Sequence, residues 1–220
     1  MGVTPGRAVG GRMNLAAVED GLRQAQGLLR DPADRDPLDE RVLQNMLAGY
    51  AYVDGLVAGE IDPFALGHLR HLLELNCLVL CGTSPERRAA YTGHLQASER
   101  RFYGEGAAGV RDVVEWVASH ADEPADLLAA GVYATMLSRP QLFIEGNHRT
   151  GALAMAYVLL RDGHPPFLLT PENAAGYFEI SAAMRDVPKH GPGAGIRLSG
   201  LTARLARLLA EAADRRHLIA

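Results

Sequence analysis

Apolar residues recur every three or four positions through most of this 220-residue chain. Leu15, Val18, Leu22, Ala25 and Leu29 form the first stripe, with Asn14 placed to cap it. Asp36-Pro37 opens a second, carrying Val42, Met46, Tyr50, Val53 and Val57, and Asp62-Pro63 opens a third that runs to about Leu80. Proline just after an aspartate marks a helix start, because its missing N–H would have no partner in the first turn. The pattern resumes with Val110, Val113, Val114 and Val117, and again from Pro124 to about Leu137. A run from Ala152 to Leu160 stops near Gly163, Thr170-Pro171-Glu172 caps a helix reaching Met184, and Ser199 starts a last one with Leu201, Leu205, Leu208 and Leu209.

Three stretches break the rhythm. Residues 1–12, MGVTPGRAVGGR, are Gly-rich without periodicity and read as a mobile leader. Residues 82–109 have turn formers at both ends and no sustained stripe, which predicts a long loop with room for a short β-hairpin; loops of that length in compact domains usually carry function. KHGPGAG, from Lys189, is a flexible break. The sum is an all-α single domain over residues 13–220 with a short β-hairpin as its only strand structure, and no internal repeat.

Composition narrows the partners. The chain is 48% hydrophobic, enough for one sizeable core, and its net charge of −4 arises from interspersed rather than blocked charges. That excludes a polybasic surface for nucleic acid or anionic lipid and favours a small ligand or a protein partner. With no apolar run of membrane-spanning length, no charged-then-apolar leader, and Gly6 where myristoylation needs Ser or Thr, a soluble, cytoplasmic protein is expected, with delivery into another cell left open. Cys77 and Cys81, one helical turn apart in LELNCLVLC, read as buried reduced thiols. A zinc site with His68 and His71 is rejected because Cys77, nine residues beyond His68, falls on the opposite side of that helix.

The chemistry concentrates at residues 141–151, QLFIEGNHRTG. With a helix beginning near Asn147, the free N–H groups of its first turn and the positive end of its dipole form an anion-binding concavity. Gly146 lets a phosphate approach the backbone, and Arg149 adds a guanidinium fork. Glu145 fits beside phosphates if it holds a bridging divalent cation, magnesium by its oxygen ligation. The same residues also fit a plain local role: a Glu145–Arg149 ion pair one turn apart, an Asn147 cap and a Gly146 turn.

This stretch resembles the Fic/Doc (Fido) signature HPFx(D/E)GNxRxxR. Phe143, Glu145, Gly146, Asn147 and Arg149 match it, and a looser likeness extends over about residues 40–190. The resemblance implies the mainly helical Fic core and a transferase, most often of AMP from ATP to a protein hydroxyl (AMPylation), with Mg2+. By position, Glu145 binds the metal, while Gly146, Asn147, His148 and Arg149 hold the phosphates. Tyr91, Thr92, Gly93 and His94 in YTGHL would form a flap whose strand-like edge, running to Leu95, aligns a target peptide.

Three departures from the family's pattern matter. Gln141 replaces the His that deprotonates the attacking hydroxyl, and an amide cannot be a general base, a role worth roughly 10²- to 10⁴-fold. His148 replaces a glycine and could contact phosphate or take a catalytic part, as in Doc-like phosphoryl transfer. Ala152 replaces the trailing Arg, which favours a diphosphate-linked donor such as a nucleotide sugar or CDP-alcohol. The remaining histidines have no partner pattern, and SHADEP, Ser119 to Pro124, fails the family's inhibitory motif because Pro124 stands where Gly or Asn is needed. The expectation is a divergent transferase moving a nucleotidyl, phosphoryl or related group to a protein or small-molecule acceptor. The alternative is an inactive Fic-fold module that binds a nucleotide or protein.

Overall fold

The computed structural model describes residues 10–26, 39–104 and 109–219. Among them are ten α-helices and no sheet: α1 (Leu15–Gln26), α2 (Glu40–Ala58), α3 (Arg70–Cys81), α4 (Pro85–Ala90), α5 (Thr92–Phe102), α6 (Arg111–Ser119), α7 (Ala125–Leu137), α8 (Asn147–Arg161), α9 (Pro171–Arg185) and α10 (Ala194–Glu211). A single 3-10 turn, Arg215–His217, follows α10. The all-α expectation stands.

Helices α7 and α8 are apolar on nearly every side, a pattern stable only where neighbours cover the whole circumference. They pack on each other more extensively than any other pair, with α2 and α3 against α8 and α10 against α7. Contact between them is close because Gly151 has no side chain: a Cβ there would lie 2.7 Å from the Tyr133 ring. Most of the remaining helices bury one face and close the outside, while α4 buries no residue.

Most predicted ends agree with local capping. Asn14 Oδ1 accepts from Ala17 N at 3.3 Å, and Asn173 Oδ1 accepts from Thr170 N at 2.9 Å in the capping box of α9. Asp36-Pro37 and Leu29 lie outside the described residues; the described start of α2 is capped by Asp39, whose Oδ1 accepts from Val42 N at 2.7 Å.

Four expectations need correction. Asp62-Pro63 does not open a helix: Asp62 Oδ1 accepts from Phe64 N at 2.9 Å, an Asx turn, and α3 begins only at Arg70. Residues 10–12 of the expected leader are pinned, with Gly11 N donating to Leu160 O at 2.9 Å and Arg12 paired with Asp54 at 2.6 Å; residues 1–9 lie outside the described residues. The last helix starts at Ala194, within the expected break. Finally, residues 85–102 form α4 and α5 where a loop with a hairpin was expected. Ser84 caps α4 ahead of Pro85, with Arg87 N donating to its Oγ at 3.3 Å, and the Ala, Leu, Gln, Glu and Arg that follow favour helix. Tyr91, Thr92, Gly93 and His94 therefore stand at the α4–α5 junction and on α5, with no strand edge to pair with a peptide.

Candidate functional site

The segment before α8 is a tight loop built around Asn147. Its Oδ1 accepts from Phe143 N at 2.8 Å, and its Nδ2 donates to Phe143 O at 2.9 Å and to Gln141 Oε1 at 3.3 Å. A single side chain thus closes the loop on itself, and Asn147 is 5% exposed. Asn76 of α3 clamps the loop from outside: its Nδ2 donates to Glu145 O at 2.9 Å and to Thr150 Oγ1 at 3.0 Å. Gly146 has φ 77°, a left-handed conformation that any Cβ strains, and an added Cβ would sit 3.0 Å from Asn76 Nδ2.

This turn brings Gly146, Asn147, His148 and Arg149 together on one cavity of about 520 Å³. The rest of the lining is largely apolar, with Val42, Met46, Tyr50, Phe167, Leu168 and Phe178 among its walls. One cavity thus combines residues of the first turn of α8 with apolar walls, the pairing suited to a ligand with an anionic end and a flat or apolar end. Arg149 Nη1 also reaches Val79 O at 3.5 Å.

His148 is held from behind. Its Nδ1 lies 2.8 Å from Tyr133 OH, which lies 2.8 Å from Tyr177 OH and 3.0 Å from Ser181 Oγ. Burial pushes the Tyr133 hydroxyl up to about 12 and the Tyr177 hydroxyl well above its ordinary value, so both stay neutral and the network fixes the ring's direction.

Glu145 does not line the cavity; its half-exposed carboxylate turns toward α5, with Oε2 3.8 Å from His94 Nε2. His94 Nε2 is buried without a hydrogen-bond partner. No group of three His, Cys, Asp or Glu able to hold a metal occurs among the described residues. Glu145 is the one carboxylate of residues 141–149 that could ligate magnesium, and its side chain points away from the cavity. Gln141 lines the neighbouring groove, and Arg101 Nε and Nη2 donate to its carbonyl at 2.9 and 2.7 Å.

Asn76, Tyr133, Tyr177, Ser181, Arg101 and Arg185 escaped the sequence reading. Asn76 had a signal, an amide within an apolar run, and it is buried. Cys77 and Cys81 are buried free thiols, and burial pushes the Cys77 thiol up to about 11, away from reactivity. Among the described residues no helix is long and apolar enough to cross a membrane.

Among solved structures, the fold is similar to that of a Fic domain containing signaling protein from Bacteroides thetaiotaomicron. The two are 17% identical over 90% of this chain and 82% of that one, with a TM-score of 0.48. No family model and no curated protein matches the chain. The functional reading therefore rests on the residues of the site.

Proposed function

We propose that this chain is a divergent Fic-family transferase that takes a nucleotidyl, phosphoryl or other nucleotide-diphosphate-borne group from a magnesium-bound nucleotide and moves it to an acceptor without the usual His. The observation that carries the reading is the cradle itself. A left-handed Gly146, the first turn of α8 and Arg149 meet on one cavity that also has an apolar wall. A capping turn made only for the helix needs neither a cavity nor a guanidinium on it.

In this reading the α8 N–H groups and Arg149 bind and orient the donor phosphates, and the Tyr133-held ring of His148 contacts them. Glu145 would hold magnesium once its carboxylate turned from His94 toward the cavity, and the metal would supply neutralisation of phosphate charge. Gln141 orients and does not take a proton. Isothermal titration with ATP, CDP-choline and UDP-glucose, with and without Mg2+, tests this: at least one binds, and Arg149→Ala weakens it roughly tenfold or more. If none binds, the reading falls.

One observation favours a second reading. Gln141 Oε1 is engaged by Asn147, so the residue at the base position has a holding role in the loop. That suits an inactive module that binds nucleotide or protein and regulates it. Mass spectrometry of a target mixture with labelled donors separates the two: an adduct abolished by Arg149→Ala removes the pure binding module.

A further inference from the structure

Beside Gln141 lies a second opening, a groove of about 770 Å³ lined by Arg101, Arg139, Gln141, Ile144, Arg185 and Pro188 among others. Among the described residues, no carboxylate and no histidine lines it. Among the described residues, Arg101's hydrogen bonds go to the neutral backbone carbonyl of Gln141 and no carboxylate pairs with it. Arg139 pairs with Asp186 at 2.7 Å, and its Nε donates to Arg185 O at 3.1 Å. Arg185 lines both this groove and the donor cavity. Three guanidinium groups thus meet one carboxylate at the edge. Lys189, the chain's only lysine, lies close behind with its side chain 3% exposed. Burial holds its ammonium's pKa down, opposed by Asp112 and reinforced by Arg101.

We propose, building on the transferase reading above, that this groove takes the acceptor and that the acceptor presents an ionised oxyanion, a phosphate monoester or a carboxylate, in place of a hydroxyl. A hydroxyl would need a base, and the groove has none: guanidinium groups stay protonated and Gln141 is an amide. An oxyanion is already a nucleophile. Guanidinium forks match its oxygens, and because Gln141 Oε1 faces Asn147, its NH2 end remains as a further donor. In the step, the acceptor oxygen forms a bond to the donor's phosphorus. The phosphoanhydride P–O bond breaks, the leaving phosphate takes the electron pair, and no proton changes hands. The residue that removes the family's base and the arginines that remove the need for one are then two parts of one arrangement.

Isothermal titration at low salt with phenyl phosphate, benzoate and phenol tests the proposal. One or both anions bind and phenol does not; tighter binding of phenyl phosphate assigns a phosphate acceptor, and tighter binding of benzoate a carboxylate. Arg101→Gln and Arg139→Gln each weaken the anion roughly tenfold, and Arg149→Ala leaves it unchanged. Arg139 is exposed, so its variant folds even where loss of the Arg101 tether does not. The proposal is overturned if no anion binds, if phenol binds as well, or if Arg139→Gln has no effect. Anion binding lost only in Arg149→Ala would place the anion in the donor cavity and also overturn it, while leaving the nucleotide reading intact. Failure of every nucleotide to bind would sink the transferase reading and the transfer step with it, and anion binding lost in Arg139→Gln would then show an oxyanion site without a donor.

Discussion

Asn147→Ala is the sharpest probe of how the motif loop is held. The side chain satisfies two backbone groups of Phe143, the N–H at 2.8 Å and the carbonyl at 2.9 Å, in a setting closed to water. Each orphaned buried group costs about 1–3 kcal/mol. Alanine's better helix propensity returns roughly 0.5 kcal/mol at the start of α8. The expected loss is about 3 kcal/mol, a large share of the roughly 5–15 kcal/mol that holds a domain folded, yet compatible with folding. Asn147→Asp keeps the acceptor for Phe143 N and loses only the donor. A carboxylate at the first helical position also gains about 0.3–1 kcal/mol from the dipole, so this variant loses about half as much. Urea unfolding with an unchanged m-value gives the stabilities, and hydrogen exchange at the Phe143 amide gives the local consequence: faster in Asn147→Ala, still slow in Asn147→Asp. An alanine cost under about 0.5 kcal/mol, far below the penalty for two orphans, would refute the closure argument. So would equal exchange rates in the two variants.

Gly146→Ala loses about 2–3 kcal/mol in urea unfolding, combining left-handed strain of about 1–2 kcal/mol with displacement of Asn76; a neutral result would mean the turn relaxes freely. Stability at alkaline pH follows from the buried tyrosines. Tyr133 is pushed from its ordinary 10.0 up to about 12 by burial, and Tyr50 and Tyr177 are raised as well. A folded pKa above the unfolded one gives stability that is full below pH 10 and lost as pH climbs toward 12, by about 3 kcal/mol for Tyr133 alone. Unfolding measured between pH 9 and 11.5 shows this loss, and Tyr133→Phe makes the slope shallower by one proton; an unchanged slope would contradict it. Gln141→His restores a titratable base beside the donor cavity and is expected to add nucleotidyl transfer to a hydroxyl substrate, read by mass spectrometry; a variant that binds nucleotide and transfers nothing would mean that more than the base is missing.

What the sequence disclosed, and what it hid, divides by distance along the chain. Helices α7 and α8 could be read because their apolar runs and their stops at Gly163 and the Ser138 region are local. α5 could not: its buried residues are only Ser98 and Phe102, one turn apart, too few to leave a stripe, and the glycines at both ends of the segment suggested turns. The pinning of residues 10–12 was hidden because its anchor, Asp54, is 41 residues from Met13.

The same division runs through the site. Gly146, His148 and Arg149 come from one turn of chain, so their spacing alone announces a cradle. The residues that hold and complete it arrive from elsewhere: Asn76 from α3, Tyr133 from α7, Arg101 from α5 and Arg185 from the end of α9. Each is ordinary in its own segment and acquires a role only when the fold carries it to residues 141–149. Gln141 shows the consequence. Alone in the sequence it reads as a lost base, whereas in the proposed reading, beside Arg101, Arg139 and Arg185, it belongs to a groove in which a base would have nothing to do. The donor side of a transferase can be written in a contiguous motif because phosphates are met by backbone and one arginine. In the proposed reading acceptor choice depends on side chains from several helices, which only the folded chain brings together.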